Sequence, residues 1–289
     1  MNRIGNIASI LGLIFTVIKM ITDDTYNSTN TVTIFLFSIV LVIFWIQNNS
    51  VKHYADAQKR LQDIHYEIIG EYEKFKSYNL DKSILELSIV CQEIAKILSK
   101  LRHCNVSICI KYTNRKDDNY YVKTLCRDPD SYHERKNLYV SSKYDVIDKN
   151  TDFKEIFEKI AKKTIWNDIY FFANYLPYKY QYENTHLDTK SLPSNFLLFF
   201  MRNWKWPLCY KSTIVVPILS DDNKDIYGYV CVDSPKNKGF NRKNDIRLMQ
   251  NIALFMAPTI RLVSERHLKN ISESSEEGHA SAIRRSMRL

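Results

Sequence analysis

Six cysteines are the side chains best suited to chemistry in this sequence, because a thiolate can attack an oxidised substrate or bind a metal ion. They are scattered, with no Cys-x-x-Cys pair, at Cys91, Cys104, Cys109, Cys126, Cys209 and Cys231. His103 beside Cys104 does not have the spacing of a metal site. A thiol-redox enzyme is one hypothesis, since Cys109 and Cys126 fall on two consecutive predicted strands and Cys209 precedes a third. The scatter favours structural thiols in a reducing cytosol.

The known motifs of catalysis are absent from the sequence. It contains no Gly-rich phosphate loop, no HExxH zinc motif, no GxSxG nucleophile motif and no kinase signature. We therefore predict that the protein is not an enzyme and holds neither a metal ion nor a cofactor.

The charge balance is basic, with 41 Lys and Arg against 32 Asp and Glu in 289 residues, a net charge of +9. The basic residues are spread along the chain, often beside acidic ones, and no helix-turn-helix or zinc pattern is present. This distribution predicts no nucleic-acid partner. Attraction to the anionic inner leaflet of a bilayer accounts for the excess instead.

Two apolar runs near the N-terminus have the length of membrane spans. As helices, Ile4–Ile21 and Thr31–Ile46 would be about 27 Å and about 24 Å long, close to the roughly 30 Å hydrocarbon core of a bilayer. No small-residue cleavage site follows the first run, which argues against a signal peptide. The loop between the runs carries no Lys or Arg, whereas Arg3 precedes the first run and Lys52 follows the second. We therefore predict a transmembrane hairpin over residues 1–49 in a cell membrane, with both termini and the remaining domain cytoplasmic.

Residues 50–102 follow as two predicted helices. In the first, apolar residues recur every seven positions, at Tyr54, Leu61, Ile68 and Phe75, with Ala57 and Ile64 on a second seam. This heptad pattern favours a parallel dimeric coiled-coil stalk, which would make the protein a homodimer. The alternative is an amphipathic helix packed on its own domain. The second helix runs from Asp81, whose side chain can cap the first-turn amides, to about Leu101.

The rest of the chain alternates short strands with amphipathic helices. The periodicity predicts strands over 105–113, 119–127, 212–219 and 225–233, a further strand within 167–175, and helices over 152–162 and 240–263. This order predicts an α+β domain over residues 103–263, in which an antiparallel sheet is packed with helices. The polar tail, residues 264–289, is expected to be flexible or a short helix.

Several of these segments resemble the GAF domain family in order and spacing. YKSTIVVPI, a turn and IYGYVCVDSPKNKGFNRKND resemble the C-terminal half of that domain. VIDKNTDFKEIF resembles the segment before its middle helix, and IYFFANYLPY the stretch before its pocket-covering loop. The resemblance covers residues 101–263. It implies a PAS-like sensor sheet with one small-molecule pocket, often found in dimeric signalling proteins.

Some GAF domains bind cyclic nucleotides through a motif of the form Asn-Lys…Phe-xxx-Asp-Glu. Here Asn237 and Lys238 are followed by Phe240 and then by Asn244 and Asp245, so Asn-Asp replaces Asp-Glu. A polar pair after the phenylalanine is also how many non-nucleotide GAF domains begin the last helix, where the side chain caps it. Capping is the favoured interpretation.

The resemblance also implies where a ligand would lie, between the sheet and the helices and loop that cover it. By position, the implied ligand-binding residues are Trp166, Phe171, Phe172, Asn174, Tyr210, Ser212 and Thr213. Their aromatic rings could stack on a flat ligand, and their amide and hydroxyl groups could supply directional hydrogen bonds. The alternative is that Phe171 and Phe172 are core residues.

The sequence leads to two functional hypotheses. In the first and preferred one, a membrane-anchored cytosolic sensor binds a small molecule or nucleotide and signals through the dimeric stalk or a partner protein. In the second, the hairpin is the output, and ligand-driven assembly lets clustered hairpins disrupt the membrane, as in bacterial nucleotide-signalled defence. Asn6, Ser9 and Thr16 on the first span could make the interhelical hydrogen bonds that such assembly needs.

Overall fold

A computed structural model describes residues 28–116, 119–131, 145–179, 181–185, 203–220 and 226–286. The helices are α1 (Ser28–Ser77), α2 (Leu80–Arg102), α3 (Thr151–Ala161) and α4 (Arg242–Ser286). The strands are β1 (Ser107–Lys116), β2 (Asn119–Arg127), β3 (Asp145–Val146), β4 (Phe171–Ala173), β5 (Ser212–Leu219) and β6 (Ile226–Ser234). The chain divides into two compact units, Met1–Asp56 and Ala57–Leu289.

In the first unit, the structure describes the part of α1 that begins at Ser28. Ile39, Leu41 and Trp45 on this helix are exposed. The predicted span Ile4–Ile21 lies outside the described residues. Across the described ranges, no helix is both long enough and apolar enough to cross a bilayer.

The second unit is built on a six-stranded sheet with the strand order β3-β2-β1-β6-β5-β4. Every neighbouring pair is antiparallel. The strands at 107–116, 119–127, 212–219 and 226–234 confirm the four main predicted strands to within three residues at each end. The antiparallel sheet packed with helices confirms the predicted α+β class.

One side of the sheet, which we call the helical face, is covered by α2 and α4, and α1 contributes side chains to the same apolar cluster. Its strand residues are Ile108, Ile110, Ile214, Val216, Val230 and Val232. Leu61 and Ile68 of α1 are buried in the same cluster, and Ala57 is also buried. Three residues of the predicted seams, Ala57, Leu61 and Ile68, are therefore buried within the chain. Their burial favours the alternative to a stalk, an amphipathic helix packed on its own domain, and the dimeric stalk itself stays a prediction.

The opposite side, which we call the α3 face, carries the odd-numbered positions of the central strands. Its strand residues are Cys109, Lys111, Thr213, Val215, Tyr229 and Cys231, placed on one face by the antiparallel register. Phe153 and Ile156 of α3 pack against it, as do Leu176 and Trp206 from the segments beside β4 and β5. This core is smaller than that of the helical face, and charged and polar side chains enter it.

The helix ends show which predicted caps form. Asn79 caps α2, since its Oδ1 accepts a hydrogen bond from the Lys82 amide at 2.9 Å, so the expectation that Asp81 caps this helix is wrong. At α4, Asn241 Oδ1 accepts from the Asn244 amide at 3.1 Å, and Asp245 Oδ2 accepts from the Asn241 amide at 2.8 Å. This reciprocal box confirms a capping role for the side chain of Asp245, whereas Asn244 takes part through its backbone amide and Asn241 supplies the other capping side chain.

Two structural details differ from the expected element ends. The predicted strand within 167–175 is reduced to Phe171–Ala173. The last helix continues beyond residue 263 to Ser286, so the polar tail is helical as far as that residue.

Gly228 provides a stability test of the central strand pair. A Cβ at this position would overlap the Lys111 carbonyl oxygen, whereas a Cβ at Gly70 of α1 would meet nothing within 4 Å. We expect Gly228→Ala to lower the free energy of unfolding by about 2 kcal/mol or more, because backbone must move. Gly70→Ala should instead raise it by about 0.5–1 kcal/mol through helix propensity. Denaturant unfolding measures both, and equal effects would contradict the close approach of β1 and β6.

Candidate functional site

The α3 face holds a polar group of residues at the middle of the sheet. Lys111 of β1 and Tyr229 of β6 are directly opposed in the antiparallel register, so their side chains lie on the same face. The first turn of α3 covers them. The ring centre of Phe153 lies 4.7 Å from that of Tyr229, and Lys111 Nζ lies 5.3 Å from the ring centre of Phe153. Asp152, the residue before Phe153, is buried at the same place.

Tyr229 presents a buried hydroxyl to this interior. Its side chain is 0% exposed, and its Oη has no hydrogen-bond partner among the residues that the structure describes. Burial raises the pKa of the phenol, so the group stays neutral and can donate a proton in a hydrogen bond. Leaving such a group unpaired costs about 1–3 kcal/mol. A ligand or a water molecule that accepted from Tyr229 would recover that free energy.

The carboxyl group of Asp152 changes its protonation state near neutral pH. Burial raises its pKa from 3.8 to about 7, although Lys111 and the hydrogen bond from the Phe153 amide favour the charged form. That amide lies 3.0 Å from Oδ1. The carboxyl can therefore accept from a ligand when ionised or donate to one when protonated.

A row of thiols lies beside the Lys111–Tyr229 pair. Cys109 and Cys231 are directly opposed on β1 and β6, and Arg127 of β2 is opposed to Cys109 on its other side. A hydrogen bond from Cys231 lowers the pKa of Cys109, with support from Arg127 and Lys111. Burial and the same hydrogen bond raise the pKa of Cys231.

The edge of the α3 face toward β5 is closed by aromatic and amide groups. Tyr182 is 2% exposed, and Asn184 Nδ2 lies 3.5 Å from the hydroxyls of both Tyr182 and Tyr210. Trp206 Nε1 donates to the Tyr210 carbonyl at 2.7 Å, which ties this cover to the start of β5. Tyr182 and Trp206 are both buried, so polar contacts beneath them lie in a low-dielectric environment that strengthens them.

Three of the predicted ligand residues reach the α3 face. Phe171 is buried with its ring centre 6.2 Å from that of Tyr182, and Tyr210 packs at the edge of the same cluster. Thr213 donates from Oγ1 to Asp233 Oδ1 at 2.7 Å. These residues could border a ligand, and their role in binding stays a prediction.

The structure places the other four elsewhere. Phe172 packs against the core of the helical face. Asn174 holds the Phe240 backbone through bonds of 2.8 Å and 3.1 Å, and Ser212 Oγ donates to the Lys236 carbonyl at 2.7 Å. Trp166 lines a separate groove of about 680 Å³ beside α4. Their hydrogen bonds and contacts give three of them a structural role, and their role in ligand binding is untested.

Sequence reasoning did not single out Lys111, Asp152 or Tyr229. Alternation along β1 places Lys111 on the same face as Cys109. A charged residue on the buried face of an apolar strand was therefore a signal in the sequence that could have identified Lys111. No sequence pattern predicts that Asp152 lies near Lys111, because these two residues meet only through tertiary packing. Cys109 and Cys126 do lie on neighbouring strands as expected, but Cys126 opposes Ile110 and belongs to the helical face, and Cys209 is exposed.

Comparison with known proteins yields solved structures alone: no family model and no curated protein matches the chain. The chain is similar to a type II free methionine-R-sulfoxide reductase from Thermoplasma acidophilum, with 13% identity, 63% of this chain and 94% of that chain covered, and a TM-score of 0.40. It is also similar to the GAF domain of a phosphoenolpyruvate-protein phosphotransferase from Coxiella burnetii, with 9% identity, coverage of 77% and 98%, and a TM-score of 0.36. At these scores the likeness is a similarity alone, and the α+β fold rests on the strand order and register described above.

Asp152 should make stability depend on pH. The folded chain keeps the proton up to about pH 7, whereas the unfolded chain releases it near 3.8. Stability contributed by the neutral carboxyl is therefore complete below the unfolded value and is lost as pH rises through about 7. Between about pH 4 and about pH 8, the free energy of unfolding of the unsubstituted chain should fall by on the order of 2–4 kcal/mol through this carboxyl. We expect Asp152→Asn, which keeps the bond to the Phe153 amide, to abolish that fall.

Chemical denaturation at several pH values measures this difference. Asp148→Asn, at an exposed carboxyl nearby, is the matched control and should follow the unsubstituted chain. Parallel pH profiles for Asp152→Asn and the unsubstituted chain would show that burial of this carboxyl does not perturb its protonation.

Proposed function

We propose that this protein is a small-molecule sensor that holds its ligand between the α3 face of the sheet and α3. The observation that carries the proposal is the fully buried hydroxyl of Tyr229, which has no partner within the described chain. A folded protein rarely leaves such a group unpaired, so the exception needs an explanation, and a ligand that accepts from Tyr229 would supply one. The resemblance to GAF domains, many of which bind small molecules, supports the same assignment.

The side chains around Tyr229 define what such a ligand must offer. Tyr229 requires an acceptor, Asp152 a donor or a positive group, and Lys111 a nearby negative or acceptor group. Phe153 provides a ring against which an apolar or flat part can pack. A compact molecule that carries both donors and acceptors, such as a purine, a nucleotide or an amino acid, meets these requirements.

We infer a binding role and not a catalytic one. The sequence lacks a recognised catalytic motif, and the polar groups of the α3 face are suited to hydrogen bonding with a bound ligand. Binding would be communicated through the sheet, because Ile110 and Val230 are neighbours of Lys111 and Tyr229 along the same strands. They face the cluster that contains Leu61 and Ile68 of α1. A ligand that shifts β1 or β6 would thus change the apolar cluster to which α1 contributes.

Ligand binding by the full-length protein is the first test. We expect one member of a panel of cyclic mono- and dinucleotides, purines and amino acids to raise the melting temperature, because a ligand that binds the folded state stabilises it. Tyr229→Phe should keep or raise the ligand-free stability, since it removes an unpaired buried hydroxyl. It should weaken binding about 2- to 12-fold, as expected for one hydrogen bond of about 0.5–1.5 kcal/mol.

Tyr112→Phe is the matched control, because Tyr112 is equally buried on β1 but belongs to the helical face. This variant should bind the ligand as the unsubstituted protein does. The proposal is wrong if Tyr229→Phe and Tyr112→Phe bind with equal affinity, or if no compound in the panel changes the melting temperature.

The proposal includes attachment to a membrane through the N-terminal segment. Its support is the uncharged run Thr31–Ile46 within α1, together with the exposed Ile39, Leu41 and Trp45. We expect the full chain to stay in the membrane pellet of bacterial cells after an alkaline carbonate wash. Leu41→Asp should weaken retention, and Leu85→Asp, at an exposed leucine of α2, should not. Recovery of the unsubstituted chain in the wash would contradict attachment.

A further inference from the structure

Two buried cysteines are placed opposite each other on the central strands of the sheet. Cys109 of β1 and Cys231 of β6 are register partners, so both side chains lie on the α3 face. Directly opposed residues in an antiparallel pair have Cα atoms about 4.5–5.5 Å apart. Disulfides form across Cα separations of about 4.4–6.8 Å, so this register places the pair within reach of a bond without strand movement.

The charges around the pair favour reaction at one of the two sulfurs. Arg127 opposes Cys109 on β2, and Lys111 lies two residues further along β1 on the same face. Positive charge beside a thiol stabilises its thiolate, which is the nucleophilic form. The directions of the two pKa shifts agree with this geometry, since that of Cys109 is lowered and that of Cys231 is raised. The pair therefore combines an attacking thiolate with a resolving thiol.

We propose that Cys109 and Cys231 are a site of reversible covalent modification, at which a small peroxide converts the two thiols into a cross-strand disulfide. The two cysteines are 2% and 4% exposed, so the oxidant must be as small as hydrogen peroxide. Bulky disulfides such as oxidised glutathione are excluded by their size. This inference goes beyond the proposed sensor function and does not depend on the identity of any ligand.

The chemistry balances in two steps. The Cys109 thiolate attacks one oxygen of hydrogen peroxide and breaks the O–O bond, which gives a sulfenic acid and hydroxide that is protonated to water. Cys231 then loses its proton and attacks the Cys109 sulfur, which forms the S–S bond and displaces a second water molecule. In sum, two thiols lose two electrons and two protons, and one peroxide is reduced to two waters. A dithiol reductant reverses the bond by exchange.

A second buried pair provides an internal control. Cys91 of α2 and Cys126 of β2 also interact with each other, and both are buried in the apolar cluster of the helical face. There, the hydrogen bond with Cys126, burial and the charge of Asp128 raise the pKa of Cys91. Cys91 therefore stays a protonated thiol that reacts slowly with peroxide. Proximity of two thiols is common to both pairs, whereas the adjacent cations are found at Cys109.

The experiment is a peroxide titration of the full-length protein in a Cys104→Ser background, followed by alkylation of remaining thiols under denaturing conditions and peptide mass spectrometry. The background substitution leaves Cys109 as the single cysteine of its tryptic peptide, His103–Lys111. We expect a cross-linked species that joins the Cys109 and Cys231 peptides, about 2 Da lighter than the reduced pair and reversed by dithiothreitol. The Cys91 and Cys126 peptides should remain alkylated at the same peroxide concentration.

Two variants sharpen the result. Cys231→Ser should accumulate Cys109 sulfenic acid, which dimedone traps, whereas Cys109→Ser should leave Cys231 alkylated. Oxidation of the Cys91–Cys126 pair first would overturn the proposal, and so would unchanged Cys109 and Cys231 thiols at a peroxide concentration that oxidises the exposed Cys209. The titration of the Cys104→Ser protein decides the question even if either variant fails to fold.

Discussion

The pairing of β1 with β6 at the centre of the sheet is the contact on which the rest of the second unit depends. Their antiparallel register sets which residues face the helices and which face α3, because successive side chains of a strand point to opposite sides. A shift of one residue would bring Lys111 and Tyr229 into the apolar helical face. The absence of a side chain at Gly228 permits this close approach.

The two faces of the sheet differ in what they bury. The helical face contributes most of the apolar burial, whereas the α3 face holds the candidate site. The helical face buries mainly aliphatic residues of three helices, an arrangement that gains free energy from removal of apolar surface. The α3 face buries Asp152 and an unpaired tyrosine hydroxyl, which both cost free energy in isolation. The ligand proposed for this face would offset that cost by pairing with these groups.

Packing of α1 on the helical face changes how a sensor of this kind would transmit its state. Leu61 and Ile68 contact the core directly, so the helix is part of the domain. Arg266 of α4 adds a polar link, since its guanidinium donates to the carbonyl oxygens of Lys76, at 2.6 Å, and Tyr78, at 3.2 Å. These contacts attach the part of α1 that follows Asp56 to the core and to α4 within the second unit.

The charges on the α3 face also distinguish Cys109 from the other buried thiols. Arg127 and Lys111 lie near Cys109 on the α3 face. Among the described residues, no cation contributes to the pKa shift of Cys91 in the other buried pair. The reactivity proposed for Cys109 thus depends on the charges around its thiol and not on cysteine spacing along the sequence.

Local patterns in the sequence were sufficient for the elements and the class of the fold. Alternation in STIVVPIL and DIYGYVCVD predicts β5 and β6, and the spacing of Ile246, Met249 and Ile252 predicts the first part of α4, since these periodicities arise from geometry within one element. Tertiary structure alone decided which faces meet. It turned the heptad seam of α1 inward, paired Cys109 with Cys231 and not with Cys126, and placed Asp152 above Lys111 and Tyr229. Such contacts depend on strand order and register across more than a hundred residues, and no local period encodes them.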